Sequence, residues 1–285
     1  MADLGIMALL LGVALSAYAA VGAIVGEKMR MAELAVSARR ALYMTTASAA
    51  VASAALIYAF VQNDFSIEYV ANHSNTFMDR AFVWVAFYAG NEGSLLYILL
   101  VLAVISAISI WCAPKRLARS MPWTIAILAL TQLFYFSVLV FSASPFELLE
   151  SVPEDGRGIN PLLTHPGMFS HPPLLMGGLI AITVPFAFVS GALIAGNFGD
   201  DWIDVARVSA IIGWGILGTG MLLGAWWAYT ILGWGGYWAW DPIENVALMP
   251  WLVMTAFIHS IMVQKRRGMF RMWDVALLNI GVVRA

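Results

Sequence analysis

The sequence predicts an all-α polytopic membrane protein with about seven complete transmembrane helices, a truncated eighth, and the N-terminus outside. Three observations predict it. Of 285 residues, 61% are hydrophobic and only 11% charged, against about 25% charged in soluble domains. The apolar residues run in long unbroken stretches rather than short alternating segments, so helices and not a barrel span the bilayer. Lysine and arginine gather in alternate loops, which sets an orientation.

The spans fall at about 4–26, 41–62, 82–112, 121–143, 172–196, 207–232 and 246–263. No small-residue cleavage site follows the first, which is therefore a retained helix. The third is longer than one crossing needs, so part of it is a surface or re-entrant segment. An eighth run begins near Met272 and stops at Ala285, too short for a hydrocarbon core of about 30 Å. The C-terminus therefore reads as cut: a fragment, or half of a split protein. Residues 1–285 form one transmembrane domain. Loop 27–40 carries Lys28, Arg30, Arg39 and Arg40. Loop 113–120 carries Lys115, Arg116 and Arg119, and loop 264–271 carries Lys265, Arg266, Arg267 and Arg271. These are the cytoplasmic loops. Loop 197–206 holds Asp200, Asp201 and Asp204, but acids weigh little in this rule. Loops 63–81, 144–171 and 233–245 then face outward. A net charge of -2 with no basic stripe gives no sign of a nucleic-acid partner. The single cysteine, Cys112, can form no intrachain disulfide, so thiol or redox chemistry must come from a ligand or partner.

Six of the twelve tryptophans lie in WWAYTILGWGGYWAWDPIENVALMPW, residues 226–251. Asp241, Pro242 and Glu244 read first as a helix start: N-cap, first position and third position. Gly233, Gly235 and Gly236 bend the loop before it. An interfacial aromatic belt accounts for two or three of these rings. It does not account for Trp234, Tyr237, Trp238 and Trp240 in one short loop. A flat apolar ligand with acidic edges does: indole faces stack on it, while indole N–H groups and the Tyr237 hydroxyl meet its carboxylates. Haem has that chemistry, and it needs an axial ligand on the same side.

Of four histidines, His171 stands in HPPLL just before the fifth span, at the level of the tryptophan loop. Alone it would read as a cap or surface residue; beside an aromatic shelf it reads as the axial ligand. His165, six residues earlier, competes for that role. His73 reads as a loop hydrogen-bonder. His259 lies deep in the seventh span, where an ionisable group is either a ligand at a second site or a neutral ring bonded to a neighbouring helix. Glu92, in GNEGSLL, is the other costly group. The glycines around it suggest a broken or re-entrant helix start, and either a helix N-terminus, a partner cation or outer water could hold it.

These residues resemble a known family. WGGYWAWDPIENVALMPWL is similar to the tryptophan-rich WWD signature of haem-handling proteins, and YVANHSN, GNEGSLL and HPPLLMGGL resemble further blocks of the CcmF/NrfE branch of cytochrome c biogenesis, in the same order. The resemblance covers nearly the whole chain. It implies part of a system I haem lyase complex in a bacterial-type inner membrane, with the WWD loop on the periplasmic side. Haem b from a haem chaperone would be held there and attached through thioethers to the CxxCH cysteines of apocytochrome c, with thiol-reducing lyase subunits as further partners. His171 matches an outer haem-ligand histidine. His259 matches one of two membrane histidines holding a separate b-type haem. Trp234, Gly235, Gly236, Trp238, Trp240 and Asp241 match the haem shelf. The family is longer, and its second outer and second membrane histidines lie past the end of this chain, so a missing C-terminal half would supply them. His165 is a departure. The rivals are a haem transporter or delivery protein of the CcmC/CcsA type, which shares the WWD loop, and a non-catalytic membrane transporter subunit using Glu92 and His259 as proton-relay groups.

Overall fold

The computed structural model describes residues 1–197 and 199–284, with only the backbone at 271, 283 and 284. Seven helices in it are long and apolar enough to cross a membrane. They are α1 (Ala2–Lys28), α2 (Ala32–Val61), a third crossing preceded by the short α3 (Glu68–His73) and α4 (Val83–Phe87) and formed by α5 (Asn91–Cys112), then α6 (Met121–Phe141). The fifth crossing is composite, α7 (His171–Ala181) followed by α8 (Thr183–Ile194), and α9 (Ile203–Ile231) and α10 (Pro242–Arg267) complete the set. The shorter α11 (Arg271–Arg284) follows. Its 14 residues rise about 21 Å at ~1.5 Å each, less than a bilayer core. No strand occurs among the described residues; one isolated bridge joins Ile67 to Leu148.

Several boundaries differ from the sequence reading, each for a local reason. The second helix begins nine residues before the expected 41, at Ala32, because AELAVSARRALY is rich in good helix formers, with Glu33 in the first turn, and a helix can carry its arginines with their charged ends in water. Arg39 and Arg40 are therefore helical. The third run divides as expected: α4 ends at Phe87, and Gly90, extended at φ -116° and ψ 176°, starts α5. Glu92 falls in the first turn of α5, where a helix N-terminus favours a carboxylate. Helix α10 runs to Arg267, so Lys265, Arg266 and Arg267 sit in its final turn against the negative end of the dipole. It stops at Gly268 with φ +69°, a left-handed cap that glycine takes without steric cost. The side chain of Arg271 and the whole of Ala285 lie outside the described residues.

Helices α1, α2, α5 and α6 pack through small residues. The Phe136 ring sits where a Cβ on Gly12 would be, so close approach replaces side-chain bulk. Polar bonds cross between helices: Thr45 Oγ1 donates to Gln132 Oε1 at 2.5 Å and Thr46 Oγ1 to the Ala103 carbonyl at 3.1 Å. Each such bond contributes about 0.6 kcal/mol in a membrane.

The two ends of the bundle differ in chemistry. At one, Asp204 pairs with Arg116, Arg207 and Lys265 at 3.4, 3.5 and 2.5 Å. Three loops that the charge pattern assigns to one side therefore converge on a single acid. At the other end, the loop after α2 and the loop after α6 are laced together. Glu68 N–H donates to Glu147 C=O at 2.8 Å, Arg157 N–H to Ala71 C=O at 2.7 Å, and Thr76 donates through N–H and hydroxyl to Asp155 at 2.9 Å each. This second end carries the tryptophan loop.

Candidate functional site

The site begins with a helix crossing. Two short 3-10 turns, Pro161–Leu163 and Pro166–Phe169, lead into α7, whose first residue is His171 and whose Pro172 and Pro173 occupy the first turn. Proline costs nothing there because the N–H groups of a first turn have no helical partner. Bonds from neighbouring elements hold the lead-in. Tyr88 O–H donates to Met168 C=O at 2.7 Å, Trp84 Nε1 to Phe169 C=O at 3.3 Å and Trp227 Nε1 to Leu162 C=O at 3.2 Å. Burial pushes the Tyr88 phenol up from its ordinary range, with the Tyr97 phenol adding to the shift, so it stays a donor.

His171 is thereby laid against α9. Its Nδ1 lies 2.8 Å from the Gly220 carbonyl. A carbonyl only accepts, so Nδ1 carries the proton and Nε2 keeps its lone pair. The ring stacks near Trp227, centroids 6.3 Å apart at 17°. It also covers Gly224: a Cβ there would stand 2.4 Å from His171 Cε1. Glycine at 224 is what lets the imidazole lie flat on the helix.

The tryptophan loop closes over this ring. Trp238, Asp241 and Glu244 line one pocket with His171, Leu175, Gly224 and Trp227, a cavity of about 110 Å³. Asp241 caps α10: its carboxylate accepts Glu244 N–H at 2.7 Å, and Glu244 Oε2 reaches back to Ala239 N–H at 2.8 Å and Asp241 N–H at 3.4 Å. The helix-start reading of DPIE is what the geometry shows, and the same residues also wall the pocket. Gly235 has φ +73° and Trp240 φ +59°. The second is a strained value for a bulky residue, held by Asn245 Nδ2 donating to Trp240 C=O at 2.8 Å. Tyr237 stacks on Tyr229, centroids 4.3 Å apart at 7°, and Trp234 folds over Gly236. The Trp238 indole N–H is buried with no hydrogen-bond partner among the described residues.

The structure thus brings His171, Trp238 and Asp241 together. Trp234, Tyr237 and Trp240 are 44%, 57% and 67% exposed and turn outward from the pocket. His165 takes a different place. Its Nδ1 accepts Gly167 N–H at 3.0 Å, its Nε2 faces Thr230 Oγ1 at 3.4 Å, and the ring leans on Trp226. His165 thus caps the Pro166–Phe169 turn through Nδ1. His73 donates from Nδ1 to Tyr69 C=O at 2.8 Å, a local bond as expected. Glu92 shares a polar pocket with Glu68, His73 and Glu147.

Among the described residues His259 makes no hydrogen bond to a neighbouring helix. Its Nδ1 donates to the Thr255 carbonyl, one turn back in α10, at 2.7 Å, and the ring is exposed. Because α10 begins at Pro242, the ring lies about 26 Å along the helix, deeper than the expected start implies. No group of three or more His, Cys, Asp or Glu among the described residues could hold a bare metal ion. Gly220, Gly224 and Trp227 were missed by sequence reasoning. Trp227 stood in the aromatic stretch, but the glycines act only through a crossing that no spacing announces.

A family model for cytochrome C assembly protein matches residues 88–283. The CcmF cytochrome c-type biogenesis proteins of Haemophilus influenzae and Escherichia coli K12 are each 37% identical, over 97% and 96% of this chain. The probable NrfE of Escherichia coli K12 is 37% identical over 80%. The chain covers 43%, 42% and 41% of those three proteins, less than half of each. A solved structure described as the cytochrome c haem lyase CcmF superposes with a TM-score of 0.88 at 32% identity, over 99% of this chain and 45% of that one. With its fold, its spans and 196 consecutive residues matched (88–283), the chain belongs to the cytochrome c assembly protein family.

Proposed function

We propose that this chain is a membrane core part of a cytochrome c haem lyase. It holds haem b at the outer, periplasmic face of a bacterial-type inner membrane for thioether attachment to the CxxCH cysteines of apocytochrome c. One observation carries the reading: the Gly220 carbonyl holds the proton on His171 Nδ1 and leaves Nε2 unprotonated, and this imidazole lines a pocket walled by Trp238 and Asp241. The orphaned Trp238 N–H fits the same ligand, since a buried donor calls for an acceptor. The pocket is too small to enclose a porphyrin, so the ring would remain open to a protein substrate on one side.

In this reading the chain's own residues bind and orient. His171 supplies an axial nitrogen. Gly220 fixes its tautomer, Gly224 its plane and Trp227 its stacking face. The capping box of Asp241 and Glu244 fixes where the tryptophan loop ends. Haem, the substrate, contributes its vinyl groups: a cysteine S–H adds across each, forming one C–S bond and placing the hydrogen on the adjacent carbon, with no leaving group. No acid or base of this chain is required for that addition; its contribution is positioning. A haem chaperone would deliver the haem and thiol-reducing subunits would keep the cysteines reduced.

His259 is proposed as one ligand of a second, membrane-embedded haem b. Its Nδ1 is tied to the Thr255 carbonyl and the residue is exposed on α10, so the other ligand would come from the remaining part that the longer relatives possess.

The test is haem retention by the complete assembly. His171→Gly is expected to lose the outer haem absorbance and holocytochrome formation, and added imidazole to restore part of the absorbance. A variant that keeps wild-type haem and maturation rate would remove the axial role.

A further inference from the structure

Two groups of cations lie at the end of the bundle that the charge pattern assigns to the cytoplasm, and they are neutralised differently. In the first, Arg116, Arg207 and Lys265 all pair with Asp204. In the second, Arg39 and Lys115 line a hollow of about 400 Å³. No carboxylate lines it, and among the described residues neither cation forms an ion pair. Lys115 and Arg116 are neighbours in the chain, yet only the second has an acid.

Three elements build the hollow. Helix α2 supplies Arg39 and Tyr43, one turn apart on a shared face. The last turn of α5 supplies Ile110 and Trp111, and the turn between α5 and α6 supplies Lys115. Helices α2 and α5 are joined deeper in the bundle, where Thr46 Oγ1 donates to the Ala103 carbonyl. The hollow opens two turns, about 10 Å, nearer the helix ends. Arg39 is half-buried while the adjacent Arg40 is exposed, so the Arg39 stem packs on protein. The rim is apolar. Trp111 is 80% exposed, and a tryptophan at a span's end marks the headgroup level. Val104, Ile108 and Trp111 follow one another at helical spacing as an exposed strip of α5. The cations therefore sit at headgroup depth, at the foot of an apolar strip that runs into the acyl region.

That combination selects a ligand. A soluble anion would meet the cations and leave the strip unused. A zwitterionic lipid would bring its own ammonium to a hollow without a carboxylate to receive it. An anionic phospholipid suits both parts: its phosphate oxygens accept from guanidinium and ammonium, the Tyr43 hydroxyl can add a further donor, and its acyl chain has an apolar track. Basic pockets between membrane helices on the cytoplasmic side favour such headgroups. We infer that the hollow between α2 and the α5–α6 turn binds an anionic phospholipid of the cytoplasmic leaflet, its phosphate on Arg39 and Lys115 and an acyl chain along Trp111, Ile108 and Val104. The site lies at the opposite end of the bundle from the His171 pocket and does not rest on the haem reading.

The test is native mass spectrometry of the complete, delipidated assembly, titrated with phosphatidylglycerol, phosphatidylethanolamine or inorganic phosphate. Phosphatidylglycerol should bind most tightly. Arg39→Gln with Lys115→Gln should weaken its first adduct roughly 30-fold. Arg40→Gln with Lys28→Gln removes the same charge from the same end, outside the hollow, and should leave that adduct unchanged. Arg39→Lys with Lys115→Arg should retain it, which separates lost charge from lost folding. Trp111→Ala, with both cations intact, should weaken it less than the double glutamine change. Equal loss in the two glutamine pairs would reduce the effect to general surface charge and overturn the site. Phosphatidylethanolamine binding as tightly, or no phosphatidylglycerol adduct on the unaltered assembly, would do the same. Inorganic phosphate displacing the lipid at a comparable concentration would make this a soluble-anion site and overturn the lipid assignment.

Discussion

His171 and His259 use the same device in two different settings. Each donates from Nδ1 to a backbone carbonyl, at 2.8 and 2.7 Å, and so leaves Nε2 as the free nitrogen. For His171 the carbonyl belongs to another helix, 49 residues away, and the ring is wedged between α7 and α9. For His259 the carbonyl is one turn back in its own helix and the ring is exposed. The first imidazole is therefore oriented by tertiary structure present within this chain. The second is oriented locally, and on the proposed reading its partner ligand comes from outside this chain. One ring is held by contacts between helices, the other by its own helix alone.

The sharpest way to break that contrast is at the incomplete site. His259→Ala is expected to remove a low-spin b-type absorbance from an assembly containing the remaining half of the longer relatives. In the isolated chain the same change should leave the spectrum untouched. An unchanged spectrum in the complete assembly would end the assignment.

Next comes the wedge itself. Gly224→Ala places a methyl 2.4 Å from His171 Cε1, so the ring must tilt and lose its bond to Gly220. Disturbing an oriented ligand in this way typically weakens binding about 10–100-fold. Titrating haem into the purified variant measures it. A smaller His171→Gly plus imidazole response in the Gly224→Ala background would show that ring seating, and not folding, was lost. Equal affinity for wild type and variant would mean that the crossing does not orient the ligand.

How much of this was legible beforehand follows the same divide. The seven spans and the division of the third run came from hydropathy and glycine, because a bilayer requires long apolar runs and glycine interrupts them. The helix start at Asp241 was legible because capping is written in adjacent residues. The early start of α2 was not, since arginines at a helix end read as loop when orientation is judged from charge. The pocket was half legible. His171 and Trp238 carry chemistry in their side chains, whereas Gly220 acts through a carbonyl and Gly224 through an absent Cβ, and neither leaves a residue-type signal. The outward turn of Trp234, Tyr237 and Trp240 was also hidden, because three left-handed residues, Gly233, Gly235 and Trp240, decide it.

A milder change probes the loop that closes the wedge. Asp241→Ala removes the capping box and should cost about 1 kcal/mol of local stability. Faster hydrogen exchange at Ala239 and Glu244 N–H would report it, with His259-dependent features unaffected. If those amides exchange at the wild-type rate, the box does not hold the loop.

The smallest expected effect tests whether the surrounding loops, far from either histidine, are equally prebuilt. Thr76 N–H, then the Thr76 hydroxyl and Gly156 N–H, hold the Asp155 carboxyl below the ordinary value of 3.8, against a smaller upward push from burial. A depressed folded pKa means that the tether contributes above that ordinary value and fades as pH falls through the folded one. The carboxylate lies at the surface and its bonds to Thr76 are exposed, so the contribution is local and modest. Protection of the Thr76 amide should therefore hold at neutral pH, persist below pH 3.8, and fade only at stronger acid. Asp155→Ala should lack it at every pH. Exchange at Thr76 that is fast and pH-independent in the unaltered chain, after correction for the intrinsic rate, would show that these loops are ordered by something other than this carboxylate.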